Sequence, residues 1–146
     1  MTGPQRRYRR ETLIALAEQI EITVPEMSPA SLFRQAIDHY NRRNPDGRPA
    51  TLDSDPQFLT RLSVNYLRHR CSEYDSIRTF LRRHATREDH EFVGAVVKGR
   101  VLRQIATRYP MLRQEARAQA LREDAVVNGA PRARGARPTT AGRTRR

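Results

Sequence analysis

The stretch from Arg87 to Tyr109 constrains the fold most, because it is the longest segment whose apolar residues follow a helical period. In its first half the apolar side chains point nearly all round a helix, and in its second half they fall on one face. The sequence therefore predicts a central helix that neighbouring elements cover. Gly94 and Gly99 each cost about 1 kcal/mol of helix propensity, which predicts a closely approaching helix or a kink.

Further helices are predicted on both sides of this stretch. The first runs from Thr12 to Ile20. The second and third begin with a capping residue followed by proline, at Ser28 and Asp55, and end near Arg43 and Arg70. A short fourth helix precedes a capping box that begins at Thr86. A last surface helix covers about 111–126, after Pro110 ends the central helix.

The predicted fold class is all-α, with five to six helices. Residues 1–45 form a basic arm and an N-terminal helical hairpin, and the turn-forming residues of 46–55 form a linker. Residues 56–127 form a small helical bundle. Residues 128–146 contain neither an acid nor a large hydrophobic residue, so this segment is predicted to be a disordered, arginine-rich tail.

The formal net charge is +12, and Lys98 is the only lysine among the 28 basic residues. Codon usage in a GC-rich genome is one explanation of the preference for arginine over lysine. Such codons also supply Asp and Glu, however, so they do not explain an excess of positive charge. The positive sign therefore needs a cause of its own, and phosphate contact is the leading one, because the guanidinium fork suits phosphate oxygens.

The expected partner is nucleic acid, DNA or RNA, and arginines carry the predicted contacts. They lie in the N-terminal arm, on the second helix, on the polar face of the central helix and in the tail. The predicted nucleic-acid-binding residues are Arg6, Arg7, Arg9, Arg10, Arg34, Arg100, Arg103, Arg108, Arg132, Arg134, Arg137, Arg143, Arg145 and Arg146.

Residues 9–43 combine a helix, an extended Ile22-Thr23-Val24 link and a second helix. Apolar positions such as Leu13, Ile20 and Leu32 bracket that link. This pattern resembles the SAP and Rho N-terminal class of mini-domains. The resemblance implies nucleic-acid binding near the two helix N-termini. In this sequence Glu21 stands where those families commonly have a glycine.

The segment 63–74, together with Arg108-Tyr109-Pro110, is similar to small uncharacterised helical proteins of phages and prokaryotes. That likeness covers about half of the chain, from 63 to 110, and implies no activity. A protein-interaction or assembly component that binds an acidic partner is therefore the alternative to nucleic-acid binding.

No phosphate loop, nucleophile elbow or dinucleotide fingerprint occurs in the sequence. The four histidines and the single cysteine, Cys71, lack zinc-site spacing. Arg78 and His84 resemble the Arg-x(4–6)-His motif of HEPN-type metal-independent ribonucleases, in which His transfers protons and Arg holds phosphate. With so many arginines, such spacings arise by chance. The sequence therefore favours a non-catalytic protein that uses neither a cofactor nor a metal.

The sequence shows neither a signal peptide nor an apolar stretch long enough to span a membrane. The prediction is a cytoplasmic protein without a membrane partner. The oligomeric state is left open.

Overall fold

A computed structural model describes residues 8–20 and 27–129. Six α-helices account for most of them, and this part of the chain contains no β-strand, so the all-α prediction is confirmed. The helices are α1 (Arg10–Ala17), α2 (Pro29–Arg43), α3 (Pro56–Arg70), α4 (Tyr74–His84), α5 (Arg87–Arg108) and α6 (Arg113–Val127), with a 3-10 turn at Pro110–Leu112 before α6.

Three helices start where the sequence predicts, because a side chain satisfies a backbone N–H that the first turn leaves unpaired. Ser28 accepts from the N–H of Ser31. Asp55 accepts from the N–H of Phe58, and Thr86 from that of Asp89. The short helix α4 lacks such a side-chain cap at its start, Tyr74.

Helix α5 is the centre of the fold, as predicted. It packs most extensively on α6 and also contacts α4, α1 and α3. Val93, Val97, Val101 and Leu102 are fully buried in the main apolar core. A substitution at Leu102 would therefore remove contacts from several helices at once.

The glycines in α5 do not mark the approach of another helix. A Cβ added at Gly94 would meet no atom within 4 Å, and one at Gly99 would lie 3.2 Å from a guanidinium nitrogen of Arg103. Gly99 thus leaves room for an arginine one turn along its own helix. The prediction of a closely approaching helix is wrong at both positions.

Helices α2 and α3 form an antiparallel pair with a small apolar cluster of its own. Its buried members are Ala36, Ala50, Leu59 and Leu62. The expected hairpin between the first two helices is replaced by this pairing, because α1 packs chiefly on α5 and α2 chiefly on α3. The extended link between α1 and α2 lies outside the described residues, so the SAP-like resemblance stays a prediction.

The segment expected to be a linker is held against α2. The Asn41 side chain donates to the carbonyl of Ala50 at 3.1 Å and accepts from its N–H at 2.9 Å. Ala50 is buried. These bonds fix the loop before α3 and thereby the position of α3 against α2.

Candidate nucleic-acid interface

Helices α2, α3 and the start of α4 enclose an open groove of about 450 Å³. We call it the α2–α4 groove. Its polar lining residues come from α2 and the residue after it, from α3 and from α4. They are His39, Tyr40, Arg43, Asn44, Asn65, His69, Asp75 and Arg78. His39 and Arg43 of α2 share this groove with Asn65 and His69 of α3, and Asp75 and Arg78 of α4 complete the wall.

His69 is held at both ring nitrogens. Its Nδ1 lies 2.7 Å from Asp75 Oδ1, and its Nε2 lies 3.1 Å from an Arg68 guanidinium nitrogen. Because a guanidinium can only donate, Nε2 accepts and the neutral ring carries its proton on Nδ1, which it donates to Asp75. Both nitrogens of the His69 ring are therefore engaged within the protein.

Arg68 of α3 is buried, with 8% of its surface exposed. Its guanidinium donates to Gln119 Oε1 at 3.3 Å, and Gln119 donates to Glu115 Oε2 at 2.7 Å. A chain of hydrogen bonds therefore runs from α6 through Arg68 to His69. This chain fixes the imidazole that forms one wall of the groove.

His39 lies in a cationic environment. Burial lowers the pKa of its imidazole, and the positive charges of Arg43, Arg70 and Arg42 lower it further. Its ring meets the Tyr66 ring edge-on, with centroids 5.6 Å apart. His39 is therefore a fixed, neutral ring among cations.

The helix dipole explains some of these cations but not all of them. Arg42 and Arg43 lie in the last turn of α2, and Arg70 lies in the last turn of α3. Cations near a helix C-terminus stabilise it by about 0.3–1 kcal/mol each. Arg78 lies in the first half of α4, where a cation gains nothing from the dipole. Arg78 lies over the Tyr74 ring and lines the groove.

The predicted face on α5 does bring its arginines together. Arg100, Arg103 and Arg108 line one open groove with Glu18, the residue that follows α1. However, Arg100 donates to the carbonyl of Ile20 at 2.9 Å and Arg103 donates to Asp124 at 2.9 Å. Two of the three guanidiniums thus hold α1 and α6 on α5. Their contact with nucleic acid stays a prediction.

The remaining predicted arginines are scattered. Arg10 pairs with Asp89 at 2.7 Å and lies over the Phe92 ring, which ties α1 to α5. Arg9 and Arg34 are exposed on other surfaces. The rest lie outside the described residues; they are Arg6, Arg7, Arg132, Arg134, Arg137, Arg143, Arg145 and Arg146.

The Arg-x-His pair of the ribonuclease hypothesis is split between two environments. Arg78 lies over the Tyr74 ring beside the α2–α4 groove. His84 packs on the rings of Tyr8 and Phe80 at the other end of α4. The sequence did not single out His39, since Asn65, His69 and Arg78, which share the groove with it, are distant along the chain. Only the packing of α2 on α3 makes it a site residue.

Within residues 8–20 and 27–129, the side chains of His, Cys, Asp and Glu form no group of three that could hold a metal ion. No helix in these ranges has both the length and the apolar character needed to cross a membrane. Comparison with known protein families, curated proteins and solved structures finds no match to this chain.

The lowered pKa values of three histidines lead to a prediction of how the stability of the fold depends on pH. Burial is the largest cause of a lowered pKa at His39, His69 and His90. The folded state therefore binds protons less readily than the unfolded chain, whose histidines titrate near pH 6.5. The free energy of unfolding is expected to be highest above pH 6.5 and to fall as the pH drops below it.

Urea unfolding of the full chain at several pH values at constant ionic strength measures this dependence. A variant with His39→Gln and His69→Gln is expected to show a shallower decline. Stability that increases on acidification from pH 7 to pH 5.5 would contradict these assignments.

Proposed function

We propose that this protein binds nucleic acid without catalysing its cleavage, and that the α2–α4 groove holds phosphate groups of the backbone. The observation that carries the proposal is the meeting of His39 and Arg43 of α2 with Arg78 of α4 in one open groove. Arginine forms paired hydrogen bonds with phosphate oxygens. Asn65 adds a neutral side chain that can donate to a phosphate or a base.

The bonding of His69 supports binding rather than catalysis. Cleavage of a phosphodiester by side chains alone needs a general base and a general acid within reach of the reacting oxygens. In the groove, the bonds from Arg68 and to Asp75 occupy both nitrogens of His69. His39 is thus left without a second imidazole to complete an acid–base pair.

The charge of the chain supports the same function. The groove is part of a protein with a net charge of +12. Such a charge attracts polyanions over distances of about a Debye length, roughly 8–10 Å at physiological salt. The arm and the tail carry ten of the predicted contact arginines. They would add affinity that does not depend on nucleotide sequence.

The test is fluorescence anisotropy with labelled single-stranded and duplex DNA and RNA at low and physiological salt. It compares the full chain with a chain that ends at Val127. The proposal predicts binding by both forms, with an affinity that falls linearly on logarithmic axes as salt rises. Binding that disappears with residues 128–146 would move the site to the tail. The absence of binding at low salt would refute the proposal and favour an acidic protein partner.

A further inference from the structure

We infer that His39 contacts the bound phosphate in the α2–α4 groove and takes up a proton when nucleic acid binds. This inference rests on the proposed function and specifies how its site recognises an anion. It makes the affinity of the groove dependent on pH in the physiological range, through one identified side chain.

The geometry leaves the His39 ring available for a ligand. The ring lines the groove and is steadied by its edge-on contact with Tyr66, whose hydroxyl donates to Gln35 Oε1 at 2.6 Å. Neither ring nitrogen of His39 hydrogen-bonds to another residue in the described part of the chain. One nitrogen of a neutral imidazole accepts and the other donates, and a protonated ring donates from both.

The charges around His39 determine when it is protonated. Arg42 and Arg43 face it from α2, and His69 and Arg70 face it from α3. From α4, Arg78 and Asp75 line the same groove, but Asp75 is bonded to His69. In the unbound protein burial, and after it the positive charges of Arg43, Arg70 and Arg42, keep the pKa of His39 below its ordinary value.

A phosphodiester in the groove reverses this balance. It brings a negative charge and acceptor oxygens next to the imidazole, and both favour the protonated ring. Since binding raises the proton affinity of His39, protonation must equally raise the affinity for phosphate. The proton comes from solvent, and no covalent bond of the ligand changes.

His69 does not share this property, although it lines the same groove. A proton added at its Nε2 would face the Arg68 guanidinium at 3.1 Å and abolish that hydrogen bond. Arg68 is buried and its charge cannot move into water. The structure therefore assigns proton uptake to His39 alone among the groove histidines.

The experiment measures the Kd of the full chain for labelled oligothymidylate, whose bases do not titrate here, at several pH values from about 6 to 8 and constant ionic strength. Affinity is expected to rise as pH falls, by at most tenfold per pH unit for one linked proton. His39→Gln is expected to show little change with pH. Calorimetry in two buffers of different ionisation enthalpy should detect proton uptake by the unmodified protein and not by His39→Gln.

His90→Gln is the matched control, because His90 also has a lowered pKa but lies outside the groove. It should retain the pH dependence, and circular dichroism at each pH verifies that every protein is folded. An equal pH dependence in the unmodified protein and His39→Gln overturns the inference and leaves the proposed function intact. Loss of the pH dependence in His69→Gln but not in His39→Gln also overturns it. Failure of the unmodified protein to bind at any pH refutes the proposed function instead.

Discussion

A double variant with Arg43→Ala and Arg78→Ala is expected to bind single-stranded nucleic acid roughly tenfold to hundredfold more weakly than the unmodified protein. Each arginine supplies a charge-assisted hydrogen bond, and such bonds contribute about 1.5–3 kcal/mol when they are sheltered and less when water reaches them. The slope of log affinity against log salt should also become shallower by about 0.7 for each lost phosphate contact. Anisotropy titrations at several salt concentrations measure both quantities.

The matched control is Arg117→Ala with Arg122→Ala. Both residues are exposed on α6, away from the groove, and the control removes the same two charges. It is expected to change affinity much less. If both double variants weaken binding equally, net charge rather than the groove governs affinity.

Replacing Glu123 by alanine is expected to destabilise the fold by about 3–5 kcal/mol. Only 2% of the Glu123 surface is exposed, and one carboxylate oxygen lies 3.3 Å from the Lys98 ammonium. The negative charge of Glu123 also supports the buried Arg68 guanidinium. Its removal takes this carboxylate away from the buried Arg68 and the partly buried Lys98, and the denaturation midpoint in urea should fall sharply.

The neighbouring residue provides a control. Asp124 pairs with Arg103 at 2.9 Å, but both side chains are about half exposed. Asp124→Ala should therefore cost about 0–1 kcal/mol. A loss at Glu123→Ala no larger than that at Asp124→Ala would show that the buried pair contributes little to stability.

The positions of the helices follow from local sequence signals. The apolar period predicts α5 to within one residue of its end, and the capping side chains of Ser28, Asp55 and Thr86 mark three starts. These signals are local because helix hydrogen bonds and caps join residues three or four apart. The pairing of helices is not local. Periodicity shows that α1 and α2 each have an apolar face but not which helix covers it.

The candidate site also depends on helix pairing, which local sequence signals do not show. The groove combines His39, Asn65 and Arg78, which are separated along the chain and meet only after α2 packs on α3. The arginine row on α5 was visible in the sequence, but the partners of Arg100 and Arg103, Ile20 and Asp124, were not. An arginine on a polar helix face has the same sequence pattern whether it meets solvent, a ligand or a carboxylate of its own chain.

The most direct test of the account is to map the binding surface by NMR. Amide chemical shifts of the isotope-labelled full chain are recorded while unlabelled oligothymidylate is added. The α2–α4 groove predicts the largest shifts at residues near His39, Asn65 and Arg78, together with movement of the His39 ring signals toward the protonated form. Shifts confined to the arm and residues 130–146, with the groove unchanged, would contradict the central claim.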